Sequence, residues 1–225
     1  QADTVYDLAS LTKVVCTATA IMQLEESGRL DLDDSVDQYL PLQQMNAITL
    51  KHLLTHTAGL VPVERYFESM NAIEEILQDG SNNGMLHPTD YHHAYSDLGY
   101  MLLGKVVEVV SQMSLDFYCQ RHIFGPLEMN RTAFNPPKSW KENCAATEDD
   151  RVWRNRLVHG EVHDENCSAI GGVSGHAGLF STASDLSKFC RGLLSGKLIS
   201  SDTLARKVAF GIKPQYPWQA LGWQV

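Results

Sequence analysis

The stretch TVYDLASLTKVVCTATAIMQLEESGRL, residues 4–30, decides how the rest of this chain is read. At its centre stand Ser10 and Lys13, a hydroxyl and an amine three residues apart. Val14, Val15, Ala18, Ile21, Met22 and Leu24 follow at helical spacing, which predicts a buried helix starting at the serine. Gly28, tolerant of a left-handed backbone, is placed to close it. Residues i and i+3 share a helix face, so Ser10 Oγ and Lys13 Nζ can meet at the helix mouth. Unpaired backbone N–H groups and the positive end of the dipole collect there, and both favour a developing anion. A serine needs a base to attack a carbonyl, and a lysine of ordinary pKa about 10.4 serves only if burial or a second cation suppresses its charge. The same four residues also fit an N-cap serine followed by a solvated first-turn lysine.

The 225 residues are 44% hydrophobic and 20% charged, the composition of a globular domain with a substantial core. A net charge of -9 argues against a nucleic-acid partner, which requires basic patches. No apolar run reaches membrane-spanning length, and the opening residues do not read as a signal peptide. The five cysteines, Cys16, Cys119, Cys144, Cys167 and Cys190, include no C-x-x-C pair, so neither a zinc knuckle nor a redox motif is expected. Cys16 and Cys190 fall in helical patterns and read as small core residues.

Along the chain, helices joined by polar turns are expected. Val36, Tyr39 and Leu40 face inward in a short element that Pro41 ends. A helix over residues 51–56 is stopped near Gly59. It carries His52 and His56 at i, i+4, a spacing that suits a metal ion, although Leu53 stands where an H-E-x-x-H site has glutamate. Buried, hydrogen-bonded histidine is the plainer reading of the pair. Residues 64–78 read as one amphipathic helix through Tyr66, Phe67, Met70, Ile73, Ile76 and Leu77, and residues 79–84, DGSNNG, as a surface loop. In the segment HHAYSDLGYMLLG, residues 92–104, polar groups stand directly before an apolar helix, residues 101–110. Tyr95 can take the Ser10 proton if a cation stabilises its phenolate. Asp97 can hydrogen-bond Lys13 or a substrate amide, and Ser96 or Asp97 can simply cap the helix.

Residues 114–127 predict a helix ended by Pro126, and residues 135–154 a long irregular stretch. HGEVHDEN, residues 159–166, is the densest polar cluster, in which His159, His163 and Asp164 offer metal-ligand chemistry. A hydrogen-bonded network tying this loop to the catalytic face accounts for it more simply. Thr182 and Asp185 form a capping box ahead of a helix over 186–194, so residues 175–180, including His176, read as a loop entering that helix and lining the pocket.

Taken together, YDLASLTKVV, GRLDLDDSVDQYLP, ITLKHLLTHTAGL, YSDLGYMLLG, IFGPLEMNRTAF, GEVHDEN, GHAGLFSTASDLSKF and the terminal LGWQV resemble the serine beta-lactamase and penicillin-binding-protein superfamily, in its beta-lactamase-related branch of D-alanyl-D-alanine carboxypeptidases and carboxylesterases. The resemblance spans nearly the whole chain in order. It implies an α+β fold in which a helical subdomain lies against an antiparallel sheet. It also implies Ser10 as nucleophile, Lys13 and Tyr95 as its proton-handling partners, and Asp97 and His176 as substrate-binding candidates. The tyrosine motif commonly ends in asparagine; Asp97, ionised, accepts but cannot donate. The family's third motif, K-T-G or H-x-G on a strand flanking the serine, is expected after a segment like Leu221-Gly222-Trp223, so His176-Ala177-Gly178 comes early for it.

The expectation is therefore a single domain over residues 1–225, truncated at both ends, mostly the helical part with much of the sheet missing. Lacking one oxyanion donor and a cation, such a chain should be a poor catalyst alone, since a single donor is worth about 100- to 1000-fold. The expected activity is serine hydrolysis through an acyl-enzyme on an amide, beta-lactam or ester carbonyl, with no cofactor and no metal. The partner is a small molecule or cell-wall peptide. The alternatives are a non-catalytic penicillin-binding-like sensing module and a metal-dependent hydrolase. Oligomeric state is open. So is the compartment, for which the resemblance implies a periplasmic or extracytoplasmic place and the residues leave a cytoplasmic one possible.

Overall fold

The computed structural model describes residues 3–42, 45–62, 64–90, 92–208 and 219–223; Gln224 and Val225 of the terminal LGWQV lie outside the described residues. Strand β1 (Tyr6–Asp7) runs through a tight turn at Ser10 into a helix that winds as a widened π-type segment over Lys13–Ala18 and continues as α1 (Thr19–Glu26). The Thr19 hydroxyl donates to the Val14 carbonyl five residues back, at 2.8 Å, within this wider winding. Val15, Cys16, Ala18, Ile21, Met22 and Leu24 are buried, as their spacing requires. Gly28 closes the helix with φ +68°, and the Arg29 N–H reaches back to the Leu24 carbonyl at 3.0 Å, a Schellman closure.

Helices α2 (Leu50–Leu54), α3 (Ile73–Asn83) and α5 (Leu115–Cys119), together with α1, pack around α4 (Asp97–Ser111). The main core gathers Ile21, Leu53, Leu54, Leu102, Leu103, Val106 and Phe124 between them. After α5 come β2 (Ala133–Phe134), β3 (Ala146–Asp150), β4 (Arg156–His159), α6 (Glu165–Ala169), β5 (Leu179–Ser181), α7 (Ala183–Leu194) and the short α8 (Ser201–Thr203). Strand β5 is the middle of a three-stranded antiparallel sheet, with Tyr6 opposite Ser181 on one side and Ala133 opposite Phe180 on the other. β3 and β4 form a separate antiparallel hairpin. The architecture is α+β, helix-rich against small antiparallel sheets.

Several local expectations need correction. Residues 64–78 are not one helix: Tyr66–Glu68 makes a single 3-10 turn and α3 begins at Ile73. Most of the loop expected over 79–84 is the second half of α3, with Gly84 as its C-cap. Gly80 lies so close to Leu98 that an added Cβ would stand 2.5 Å from its Cδ2, and Ser81 is buried with its hydroxyl donating to the Gln78 carbonyl. Tertiary packing here overrides turn-forming composition. The irregular stretch over 135–154 holds all of β3, and its end is organised by Asp150, whose carboxylate accepts the N–H groups of Val152, Trp153 and Arg154. Leu179 and Phe180, the end of the loop expected over 175–180, belong to strand β5. Cys190 is exposed because α7 turns Phe189 and Leu193 inward instead. Among the described residues no helix is long and apolar enough to cross a membrane.

Candidate active site

The turn that presents Ser10 is held by the residues before it. Ala9 sits in the left-handed region at φ +45°, where a side chain is costly, and its N–H bonds to Asp7 Oδ1 at 2.8 Å. Asp7 Oδ2 accepts the His163 N–H, also at 2.8 Å, so one carboxyl ties the serine turn to the loop after β4. Burial pushes the Asp7 carboxyl pKa up, against these two N–H groups, which favour the charged form. Ser10 emerges exposed, and Leu11, Thr12 and Lys13 N–H groups bond back to Leu8, Ala9 and Ser10 carbonyls. Among the described residues no acceptor takes the Ser10 N–H.

One helical turn on, Lys13 is 3% exposed, not solvated. Its Nζ lies 3.0 Å from Ser10 Oγ, 2.7 Å from Asp97 Oδ1 and 3.2 Å from the His176 carbonyl oxygen. These three acceptors match the three N–H donors of an ammonium. Two tyrosine rings flank it, with Nζ 4.7 Å from the Tyr95 centroid and 5.7 Å from that of Tyr100. Tyr100 is fully buried and donates to the Leu54 carbonyl, and burial pushes its phenol pKa far up. Tyr95 keeps 39% of its surface exposed and faces the cleft.

Asp97 comes to Lys13 because α4 starts there. Ser96 is its N-cap, accepting the Gly99 N–H, which puts Asp97 in the first turn, where the dipole favours an anion. Contact with Lys13, one of the roles the sequence allowed, is observed.

His176 needs correction. Its ring is 1% exposed and sits in the wall behind Lys13, with Nδ1 2.8 Å from Ser174 Oγ and Nε2 2.9 Å from Asp164 Oδ1. Only its main-chain carbonyl meets the site. The loop reaches that position because Gly175 and Gly104 of α4 touch backbone to backbone; a Cβ on Gly175 would fall 2.0 Å from the Tyr100 carbonyl oxygen. Burial favours the protonated form of Asp164. The His176 hydrogen bond and charge, the Cys167 N–H and the Lys13 charge outweigh it and hold the carboxyl down at about 2.

The polar cluster at 159–166 is thus a network joined to the Ser10 turn through Asp7 and to the wall behind Lys13 through His176. His159 bonds the Cys144 carbonyl, His163 pairs with Glu148 and Asp164 with His176, so the three point to separate partners. No trio of metal-ligand side chains is brought together among the described residues. His52 and His56 likewise part: His52 Nδ1 accepts the Thr49 N–H in a capping box, while His56 turns to the site. Asp7 was not singled out from the sequence, and the partners of Asp164 and His56 were not legible from spacing.

A cleft of about 510 Å³ is lined by Ser10, Lys13, His56 and Tyr95 together with Gln219, Gly222 and Trp223. Gly222, at φ +82°, lies against Ala18 and the Tyr100 hydroxyl, where a Cβ would come within 2.6 and 3.1 Å.

The model of the family described as Beta-lactamase matches residues 1–224. The chain belongs to that family. An Escherichia coli (strain K12) protein named "Putative D-alanyl-D-alanine carboxypeptidase" is 36% identical over 86% of this chain and 51% of its own length. A penicillin-binding protein homologue of Pyrococcus abyssi, described as octameric, superposes with TM-score 0.75 at 27% identity, covering 99% of this chain and 53% of its own. A class C beta lactamase shares the fold at TM-score 0.79 and 21% identity, over 99% of this chain and 60% of its own. The chain therefore spans between 51% and 59% of the length of the curated relatives in this comparison.

Proposed function

We propose that the protein is a serine hydrolase working through an acyl-enzyme, with Ser10 as nucleophile and Lys13 and Tyr95 as its proton-handling pair. The observation that carries this reading is the 3.0 Å contact between Ser10 Oγ and the buried Lys13 Nζ at the mouth of a cleft. Ser10 Oγ attacks the carbonyl carbon while its proton passes to the Lys13–Tyr95 pair. Because the three donors of Lys13 already face acceptors, its part is mainly charge, and Tyr95 beside it receives the proton. The Ser10 N–H is one donor to the oxyanion. The tetrahedral adduct collapses by breaking the carbonyl bond to nitrogen or oxygen, and Tyr95 returns the proton to that leaving atom. Water then repeats the sequence on the acyl ester and frees the serine.

Among amide, beta-lactam and ester carbonyls, the names of the relatives favour a D-alanyl-D-alanine peptide of the cell wall. Asp97, an ionised acceptor paired with Lys13, does not donate to a substrate carbonyl as asparagine would. That departure also favours a second reading, a penicillin-binding sensing module that acylates without turnover. A fluorescent penicillin or fluorophosphonate should label the complete protein, and Ser10→Ala should abolish the label. Labelling that persists in Ser10→Ala removes Ser10 from its role, and an acyl-enzyme that forms from a small ester substrate but is never hydrolysed selects the sensing module.

A further inference from the structure

Residues 92–96, between the end of the preceding turn and α4, have no regular structure, yet Tyr95 must hold a fixed place against Lys13. Something outside the segment has to supply that order, since each unfixed backbone residue retains about 1–2 kcal/mol of conformational entropy. The contacts converge on His56. Its main-chain carbonyl accepts the Ala94 N–H at 2.9 Å, and its Nδ1 accepts the Ser96 N–H at 3.1 Å. The residue between those two anchors is Tyr95, and the imidazole stacks on its ring with centroids 4.4 Å apart and planes 29° apart.

We propose that His56 is the positioning residue for Tyr95, gripping its backbone on both flanks and its ring on one face so that the phenol stays beside Lys13. This rests on the reading of Tyr95 as proton carrier. His56 acts through Tyr95; no step of the chemistry needs the imidazole to change charge.

Three features fit the part. His56 sits in the left-handed region at φ +55°, which turns the chain out of α2 and points carbonyl and ring the same way, a conformation that histidine and asparagine tolerate better than most residues. An Nδ1 that accepts from a backbone N–H places the ring hydrogen on Nε2, so the grip exists only for the neutral imidazole. Burial, with the Lys13 charge and His93 close by, holds that imidazole neutral, its pKa down to about 3. The Ser96 anchor has a second effect. Ser96 caps α4, so the bond that fixes Tyr95 also fixes the start of the helix carrying Asp97.

The two elements of the grip can be removed separately. His56→Phe keeps a ring to stack on but leaves the Ser96 N–H without its acceptor. His56→Asn keeps the left-handed backbone and offers an oxygen acceptor but loses the stack, and it serves if the phenylalanine variant does not fold. The readout is the second-order rate of covalent labelling by a fluorophosphonate in the complete protein, for each variant alone and combined with Tyr95→Phe. Displacing a reacting group by about 1 Å costs about 100-fold, so each His56 variant should lose about 10- to 100-fold in the wild-type background. In the Tyr95→Phe background, where no phenol remains to be placed, the His56 substitution should cost less than about 3-fold. A penalty of the same size in both backgrounds, with Tyr95→Phe itself slow, overturns the positioning role and leaves the proposed chemistry standing. A Tyr95→Phe protein that labels at the wild-type rate overturns the reading of Tyr95 and this inference with it.

Discussion

The pair formed by Lys13 and Asp97 supports the most demanding test of this site. Nζ and Oδ1 are 2.7 Å apart, with side chains 4% and 19% exposed, so the pair is largely out of water. At an effective dielectric of about 20, two unit charges at that distance attract by about 6 kcal/mol. Stripping their hydration cancels much of this, and breaking such a pair from one side costs about 3–5 kcal/mol because the remaining charge is stranded. Asp97→Ala should therefore lower the unfolding free energy by about 3–5 kcal/mol, of which the lost first-turn carboxylate accounts for only about 0.5 kcal/mol. Lys13→Met should cost a similar amount, leaving Asp97 unpaired. The double substitution should recover most of the loss, ending within about 1.5 kcal/mol of the parent, since no buried charge is then orphaned. Urea unfolding of the four proteins at neutral pH, followed by far-UV circular dichroism, closes the cycle. Asp97→Ala within about 0.5 kcal/mol of the parent would show Lys13 to be hydrated, and a wet lysine defeats the account of the site given above.

The wall behind Lys13 has its own pH signature. The folded carboxyl of Asp164 sits at about 2, below its ordinary value of 3.8, so its stabilisation is present above about pH 4 and is lost as pH falls toward 2. The shift corresponds to about 2 kcal/mol, and urea midpoints at pH 5 and pH 3 should converge for Asp164→Asn relative to the parent; an unchanged acid limb in the variant would contradict the His176–Asp164 contact. Gly175→Ala drives a methyl to 2.0 Å from a main-chain oxygen that cannot yield, and should cost about 3 kcal/mol or more. Gly192→Ala meets only the movable tip of Leu127 and should cost distinctly less, so equal melting temperatures for the two variants would refute the backbone contact.

What the sequence disclosed and what it concealed divide along physical lines. The helix bearing Ser10 and Lys13 was legible because its apolar residues repeat over four turns and a glycine ends it. Strands β1, β2 and β5 were not, because two or three residues cannot show a period. The charged strand ATEDD of β3 alternates nothing that a core would select. Residues 79–83 carry turn chemistry, and only the approach of Leu98 to Gly80 reveals that they finish a helix. At the site, Ser10, Lys13 and Tyr95 were named from motif and chemistry, and their residues do line one cleft. His176 was read as part of a pocket-lining loop from the capping box that follows it, which says nothing of Asp164 twelve residues away taking its ring. His56 was read as a buried, hydrogen-bonded histidine, which it is; which tyrosine it holds is a matter of three dimensions.

The backbone contact between Gly104 and Gly175 has a mechanical consequence. Asp97 stands at the head of α4, and the His176 carbonyl belongs to the loop pressed onto that helix with no side chain between them. Two of the three atoms that cradle the Lys13 amine are thus bolted to a single chassis. When the helical layer breathes, both travel together, so the cradle keeps its shape and all the play falls at the third corner, the serine.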